Sequence, residues 1–345
     1  MTAVPSDAVR RPRLPLGRLL VGTLFGAACL ALVLYAADPA AVARQLRATE
    51  LGWLALAFAS ALVVAVTKAL RWQALLYYGQ EPRRAVPLRP TFEVLLISQM
   101  VNILIPIRLG EIVRIFVLHR LAGPAKATIL STIAIEKLLD LICVGLVAVL
   151  VVPMAIGADA TAEADPRTGW LRLGIAVAAV VALALAGRWH RPAIAWARAH
   201  VFPRLPGPVQ GPLERLAEAT LVAFVELSEP RPLAAIGGWS LLAWLFSVVT
   251  YYLLLASLNI VVPPVVGLVL FATVQLSFVT PTAPGGIGLP TVMPVWVLQA
   301  FAVSPDAATA FGILAYLVVA GPPMVIGAFC LGQYASLIPW RRMRT

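Results

Sequence analysis

Apolar runs long enough to cross a lipid bilayer recur along this chain, and they restrict what it can fold into. A helix needs roughly 18 to 20 apolar residues to span the hydrocarbon core. Six runs of about this length lie at 19–36, 51–67, 127–155, 170–187, 233–257 and 308–332. Charged residues make up only 12% of the chain, against about 25% in a typical soluble domain. The sequence therefore predicts an all-α polytopic membrane protein.

The net charge of +11 raises the question of a nucleic-acid partner. The arginines, however, lie in short segments between apolar runs, without the basic stripe or interleaved aromatic residues that such partners require. With a cytoplasmic N-terminus, the segments on the cytoplasmic side hold most of the Lys and Arg, in accordance with the positive-inside rule. One of these segments is the predicted loop 68–89, which contains Lys68 and Arg71. We therefore predict a multi-pass protein of the cell (cytoplasmic or inner) membrane with both termini in the cytoplasm, and no nucleic-acid partner.

Two further apolar regions, 91–120 and 265–303, are interrupted by proline and glycine. Proline lacks a backbone donor and glycine weakens a helix, so each region is expected to contain a break in its helix. The charge pattern fits a re-entrant hairpin and two ordinary crossings equally well. We therefore predict two interrupted or re-entrant helical hairpins in addition to about six full spans.

The two interruptions match each other at a shift of 175 residues. "LIPIRLGEI" aligns with "VTPTAPGGI", which places Pro106 on Pro281 and Gly110 on Gly285. Three predicted spans lie between the two regions, and an odd number inverts the second unit relative to the first. Paired interrupted helices in an inverted repeat indicate the substrate site of a transporter.

We predict a single integral membrane domain over residues 1–345. The first half of the repeat covers about 91–155 and the second about 265–332. Between them, a long cytoplasmic loop at about 188–232 carries a stripe of apolar residues, which predicts an amphipathic helix at the membrane interface. A helix that binds a partner protein is the alternative for this loop.

Charged residues lie in or beside the first interruption and on the helix that follows it. A charge at the centre of a bilayer costs at least about 2.5–3.5 kcal/mol, so such residues usually face a cavity or each other. These residues are Arg108, Glu111, Arg114, Glu136, Lys137 and Asp140. A stabilising ion-pair network, or snorkelling to the interface, is the alternative to a substrate site.

These motifs resemble the flippase-like transmembrane region of lysylphosphatidylglycerol synthases and their stand-alone relatives. The likeness rests on "NILIPIRLGEIVR", "AIEKLLDLI" and "PTAPGGIG", with Lys137 where the family has arginine. The chain departs from the family in having Pro290 and Thr291 where a glutamate is common. It also ends shortly after its last span, and we therefore expect no aminoacyl-transferase domain and no enzymatic activity.

The resemblance implies a flippase-like transporter that moves a polar or anionic lipid, a phospholipid or a lipid-linked intermediate, between leaflets. Helix N-termini at the breaks would offer N–H groups to a phosphate, and Arg108 would form a bidentate contact with it. Glycines of the second break would let the backbone approach the headgroup. The candidate substrate-binding residues are Asn102, Arg108, Glu111, Arg114, Glu136, Lys137, Asp140, Gln275, Ser277, Thr280, Pro284, Gly285, Gly286 and Gly288.

Two other functions stay open at this point. An inverted repeat supports an ion-coupled small-solute secondary transporter equally well, and an accessory subunit of envelope-lipid synthesis is the other alternative. Membrane lipids are the expected partners, with self-association and envelope-lipid biosynthesis proteins as open alternatives. The sequence has no catalytic residue set, metal-ligand spacing or nucleotide-binding loop, so no cofactor is expected.

Overall fold

A computed structural model describes most of the chain. The described residues are 37–78, 85–105, 109–156, 196, 199–200, 230–277 and 288–334. Within them, all regular secondary structure is helical, which confirms the predicted all-α class. The predicted spans 19–36 and 170–187, and the apolar stripe of the predicted amphipathic helix (213–225), lie outside the described residues.

The described chain forms helices that we number in chain order. They are α1 (Pro39–Arg47), α2 (Leu51–Tyr78), α3 (Leu88–Leu104), α4 (Gly110–Ala122), α5 (Lys126–Ile156), α6 (Pro230–Ser257), α7 (Val265–Ser277), α8 (Leu289–Ala300) and α9 (Pro305–Tyr334). By length and composition, α2, α6 and α9 can cross a membrane, and α7 and α8 are shorter apolar helices.

Helix α2 is longer than the predicted span 51–67. It continues without interruption to Tyr78, because neither proline nor glycine occurs between Gly52 and Gly79. Lys68 and Arg71 therefore lie inside a membrane-length helix, and our assignment of both residues to a cytoplasmic loop was wrong. Arg71 is tolerated there because its side chain turns inward and is completely buried.

The first predicted interruption is present as a gap between two helices, and residues 278–287 of the second lie outside the described residues. Helix α3 ends at Leu104, after which Ile105 is extended, and α4 begins at Gly110. Helix α7 ends at Ser277, and α8 begins after Gly288, whose φ of 137° is a conformation that favours glycine. Within the described residues, the two units thus share an order of two short helices followed by a long helix.

The buried apolar side chains form two main clusters, one for each unit. The first joins α2, α3, α4 and α5 through residues such as Trp72, Leu95 and Leu118. The second is built mainly on α6, α7, α8 and α9, around residues such as Phe271 and Phe311. Polar and charged side chains lie between the two clusters.

Candidate functional site

Asn102 connects the two helices of the first break. Its side-chain carbonyl accepts a hydrogen bond from the Gly110 backbone N–H at 2.8 Å, and its amide donates to Glu111 Oε2 at 2.6 Å. The first bond satisfies one of the N–H groups that the start of α4 would otherwise leave unpaired. A Cβ at position 110 would collide with the Ser98 carbonyl oxygen and the Asn102 side chain, so glycine is required.

Two ion pairs connect α4 to α5. Arg114 Nη2 lies 2.7 Å from Glu136 Oε2, and both side chains are buried. Lys137 Nζ lies 3.8 Å from Glu111 Oε1, and this pair is more exposed. These four residues, all predicted from the sequence, therefore neutralise one another in pairs.

Arg71 is the residue that the sequence analysis missed in this network. Its two terminal nitrogens lie 2.7 and 3.3 Å from the carboxylate oxygens of Asp140, and it also lies 3.5 Å from Glu136. The Trp244 indole N–H donates to the same Asp140 carboxylate at 3.3 Å. The absence of proline and glycine after position 67 was the signal that could have placed Arg71 on a continuing helix.

Trp72 supports the network from the adjacent position of α2. The Arg114 guanidinium carbon lies 3.5 Å from the centre of the Trp72 ring, a cation–π arrangement. The indole N–H donates to the Thr132 hydroxyl at 3.1 Å. Helices α2, α4 and α5 are therefore held together by one connected set of polar contacts.

A cavity of about 260 Å³ lies between the two clusters. Its wall includes residues from both units, so neither interrupted helix pair forms it alone. The polar and charged lining residues are Lys68, Ser98, Gln99, Asn102, Glu111, Arg114, Glu136, Lys137, Tyr251, Gln275 and Tyr316. Five of these residues were not predicted as site residues, because nothing in an apolar run shows whether a side chain faces a cavity or the packed interior. They are Lys68, Ser98, Gln99, Tyr251 and Tyr316.

Lys68 differs from the other cations of the described cavity wall. No carboxylate of a described residue lies within 4 Å of its ammonium group, whereas Arg114 and Lys137 each have such a partner. Asp140 attracts Lys68 from farther away. That carboxylate, however, is already held by Arg71 and Trp244. The cavity wall therefore presents a positive charge without a close counter-ion.

The remaining predicted site residues fall into three groups. Gln275 lines the cavity, whereas Asp140 is not part of the lining. Ser277 is buried and donates to the Val274 carbonyl oxygen at 2.6 Å, and Gly288 directly precedes α8. The rest lie outside the described residues: Arg108, Thr280, Pro284, Gly285 and Gly286.

Residues 19–327 match the family described as the lysylphosphatidylglycerol synthase TM region. The chain belongs to this family. A comparison with curated proteins gave no match. All residues that line the cavity fall inside the matched range, so the cavity lies wholly within the lysylphosphatidylglycerol synthase TM region. Membership confirms the resemblance and, with the apolar helices, indicates a multi-pass membrane protein with a role connected to membrane lipids.

Proposed function

We propose that this chain is a flippase-like transporter that moves a polar or anionic lipid, a phospholipid or a lipid-linked intermediate, between the leaflets of the cell membrane. The cavity lined by charged and amide side chains, set among helices of membrane-spanning length, carries the proposal. A headgroup cannot cross the hydrocarbon core unaided, because its polar groups would lose their hydration. A polar cavity within the membrane supplies replacement contacts.

The size of the cavity suits a headgroup rather than a whole lipid. Its volume of about 260 Å³ is slightly below the range of roughly 300–1,000 Å³ that is usual for pockets holding complete small molecules. Acyl chains would therefore remain outside the cavity while the headgroup occupies it. This division is the one expected when a protein shields only the polar part of a lipid.

The arrangement of the two interrupted units supports transport over catalysis. Helices α3, α4 and α5 on one side, and α7, α8 and α9 on the other, each contribute to the cavity wall. We propose that they form an inverted repeat within about six spans and two hairpins, with both termini in the cytoplasm. Movement of one unit against the other would expose the cavity alternately to the two sides.

Reconstituted vesicles provide the test of this function. We expect the purified protein to accelerate the exchange of fluorescent phosphatidylglycerol between leaflets, measured by dithionite quenching in vesicles of phosphatidylcholine and phosphatidylglycerol. Gln275→Trp, which fills the cavity, should abolish the acceleration. Leu276→Trp is the matched control, because Leu276 is 42% exposed and does not line the cavity. Equal rates with and without the wild-type protein would refute lipid translocation.

The same cavity volume also suits a small anionic solute, which is the second candidate. In that case vesicles loaded with buffer should take up a labelled soluble phosphate ester, and Gln275→Trp should block the uptake. An accessory subunit of envelope-lipid synthesis would move neither compound.

A further inference from the structure

We propose that the Lys68 ammonium group binds the phosphate of a lipid, and that a groove branching from the cavity at Lys68 holds part of one acyl chain. This inference rests on the proposed function and specifies which part of the cavity receives which part of the lipid. It is carried by the charge balance of the cavity, by the residues around Lys68 and by the lining of the groove.

Among the described charges around the cavity, Lys68 is the cation whose positive charge has no close counter-ion. Glu136 and Asp140 are held by Arg71 and Arg114, and Glu111 pairs with Lys137. Lys68 lies ten residues before the end of α2, which is about 15 Å along the helix. A cation at such a depth is stabilised by a counter-ion. A phosphate that enters the cavity supplies one.

A lysine at this position allows reversible binding, which a transported ligand requires. The chain has three lysines among its 27 basic residues. Lys126 lies over the Phe116 ring and Lys137 pairs with Glu111, so Lys68 is the lysine whose ammonium is left for a ligand. An ammonium group is a compact point charge that does not form the bidentate contact of arginine, so we expect it to bind the phosphate reversibly.

Polar groups beside Lys68 complete a phosphate contact. Gln99, Gln275 and Tyr251 border both the cavity and the groove, as Lys68 does. The two amides and the phenol can each donate a hydrogen bond to a phosphate oxygen. Gln99 comes from the first interrupted unit and Gln275 from the second, so both units meet at the proposed phosphate position.

The groove itself is suited to a hydrocarbon chain. It has a volume of about 70 Å³ and runs between α2, α6 and α9. Ala61, Ala65 and Lys68 follow helical spacing along one face of α2, so the groove extends for about 10 Å from the ammonium group. The remaining lining residues are Val64, Ser247, Thr250, Val319, Pro322 and Pro323.

The serine and threonine hydroxyl groups in the groove already form hydrogen bonds within the protein. Ser247 donates to the Ala243 carbonyl oxygen at 2.7 Å, and Thr250 donates to the Phe246 carbonyl oxygen at 2.8 Å. A ligand in the groove therefore meets mainly methyl and methylene groups. Val319, which lines both the groove and the cavity, adds a further apolar side chain to this wall.

A phosphate could belong to a lipid or to a free phosphate ester, and the groove favours the lipid. Binding of dioleoylphosphatidylglycerol to the detergent-purified protein, measured by native mass spectrometry, tests the Lys68 contact. We expect Lys68→Met to weaken this binding by about tenfold or more, the loss typical of a charged hydrogen bond. Lys68→Arg should retain it. Lys126→Met is the matched control, because it removes the same charge outside the cavity.

A second pair of variants tests the groove. Ala65→Phe should weaken binding of dioleoylphosphatidylglycerol but leave binding of soluble glycerol 1-phosphate unchanged. The retained binding of glycerol 1-phosphate would show that the variant is folded. Val66→Phe, at an outward-facing position, should affect neither ligand. If glycerol 1-phosphate binds as tightly as the lipid, the acyl-chain part of the proposal is overturned.

The outcomes separate this inference from the proposed function. Unchanged lipid binding in Lys68→Met overturns the phosphate contact, even if the wild-type protein translocates lipid. Binding that depends on Lys68, in a protein that does not accelerate leaflet exchange, supports the contact and refutes translocation. Failure of the wild-type protein to bind either compound overturns the inference altogether.

Discussion

Arg71 holds both carboxylate oxygens of Asp140, at 2.7 and 3.3 Å, although 69 residues separate them in the chain. The contact joins α2 to α5 inside the helical bundle and leaves no exposed part of the Arg71 side chain. An ion pair at such a position fixes how the two helices are placed, because removal of either partner leaves an uncompensated buried charge.

Removal of the Arg71 charge should therefore destabilise the fold. We expect Arg71→Met to cost about 3–5 kcal/mol, the usual effect of breaking a buried pair. Thermal unfolding in detergent, followed by the loss of helical circular dichroism, measures this. The double variant Arg71→Met/Asp140→Leu should recover much of the loss. Wild-type unfolding of the single variant would contradict the assigned role of the pair.

The Lys137–Glu111 pair should behave differently. Its nitrogen–oxygen distance is 3.8 Å and the Lys137 side chain is 53% exposed, so solvent in the cavity screens the attraction. We expect Lys137→Met to change stability by no more than about 1 kcal/mol. The same unfolding measurement checks this, with Arg71→Met as the comparison. A loss as large as that of the Arg71 variant would mean that the pair is effectively desolvated.

Gly110 should not accept even a methyl group. A Cβ there would meet the Ser98 carbonyl oxygen and the Asn102 side chain, so Gly110→Ala should lower the melting temperature clearly. Gly145→Ala on α5 is the control, because nothing lies within 4 Å of its Cβ position. We expect that control to be neutral or stabilising by up to about 1 kcal/mol, the difference in helix propensity. Equal effects of the two substitutions would contradict the close contact.

The bridge made by Asn102 should be sensitive to the loss of its amide. Asn102→Asp replaces the donor to Glu111 with a second carboxylate, so repulsion replaces a hydrogen bond of 2.6 Å. We expect a marked loss of stability in detergent at neutral pH. Asn259→Asp is the matched control, since the Asn259 amide donates to Glu50 at 3.0 Å in an exposed position. That substitution should have a small effect, and a larger effect at Asn259 than at Asn102 would refute the bridging role of Asn102.

Much of the architecture follows directly from the sequence. Hydropathy and the positions of proline and glycine predicted the helices of both interrupted units, including the end of α3 near Leu104. Arg114 and Glu136 were predicted to face a cavity or an opposite charge, because an unpaired charge in lipid is costly. These inferences succeed because they depend on residues that are close in sequence.

The errors concern residues whose surroundings come from distant parts of the chain. Lys68 and Arg71 were read as loop cations because basic residues commonly follow a span on the cytoplasmic side. Their inward orientation depends on Asp140 and on the cavity, both far away in sequence. Tyr251 likewise has the same local pattern as a core aromatic residue, and only the packing of α6 against α7 places it at the cavity.

The contacts at Gly110 and Asn102 have a mechanical consequence. The Gly110 backbone N–H, the Asn102 amide and the Glu111 carboxylate are connected, and no space for a side chain is left at Gly110. These contacts join the end of α3 to the start of α4. We therefore expect these two helix ends to move together. If the chain moves a ligand across the membrane as proposed, the end of α3 and the start of α4 are expected to shift as one block.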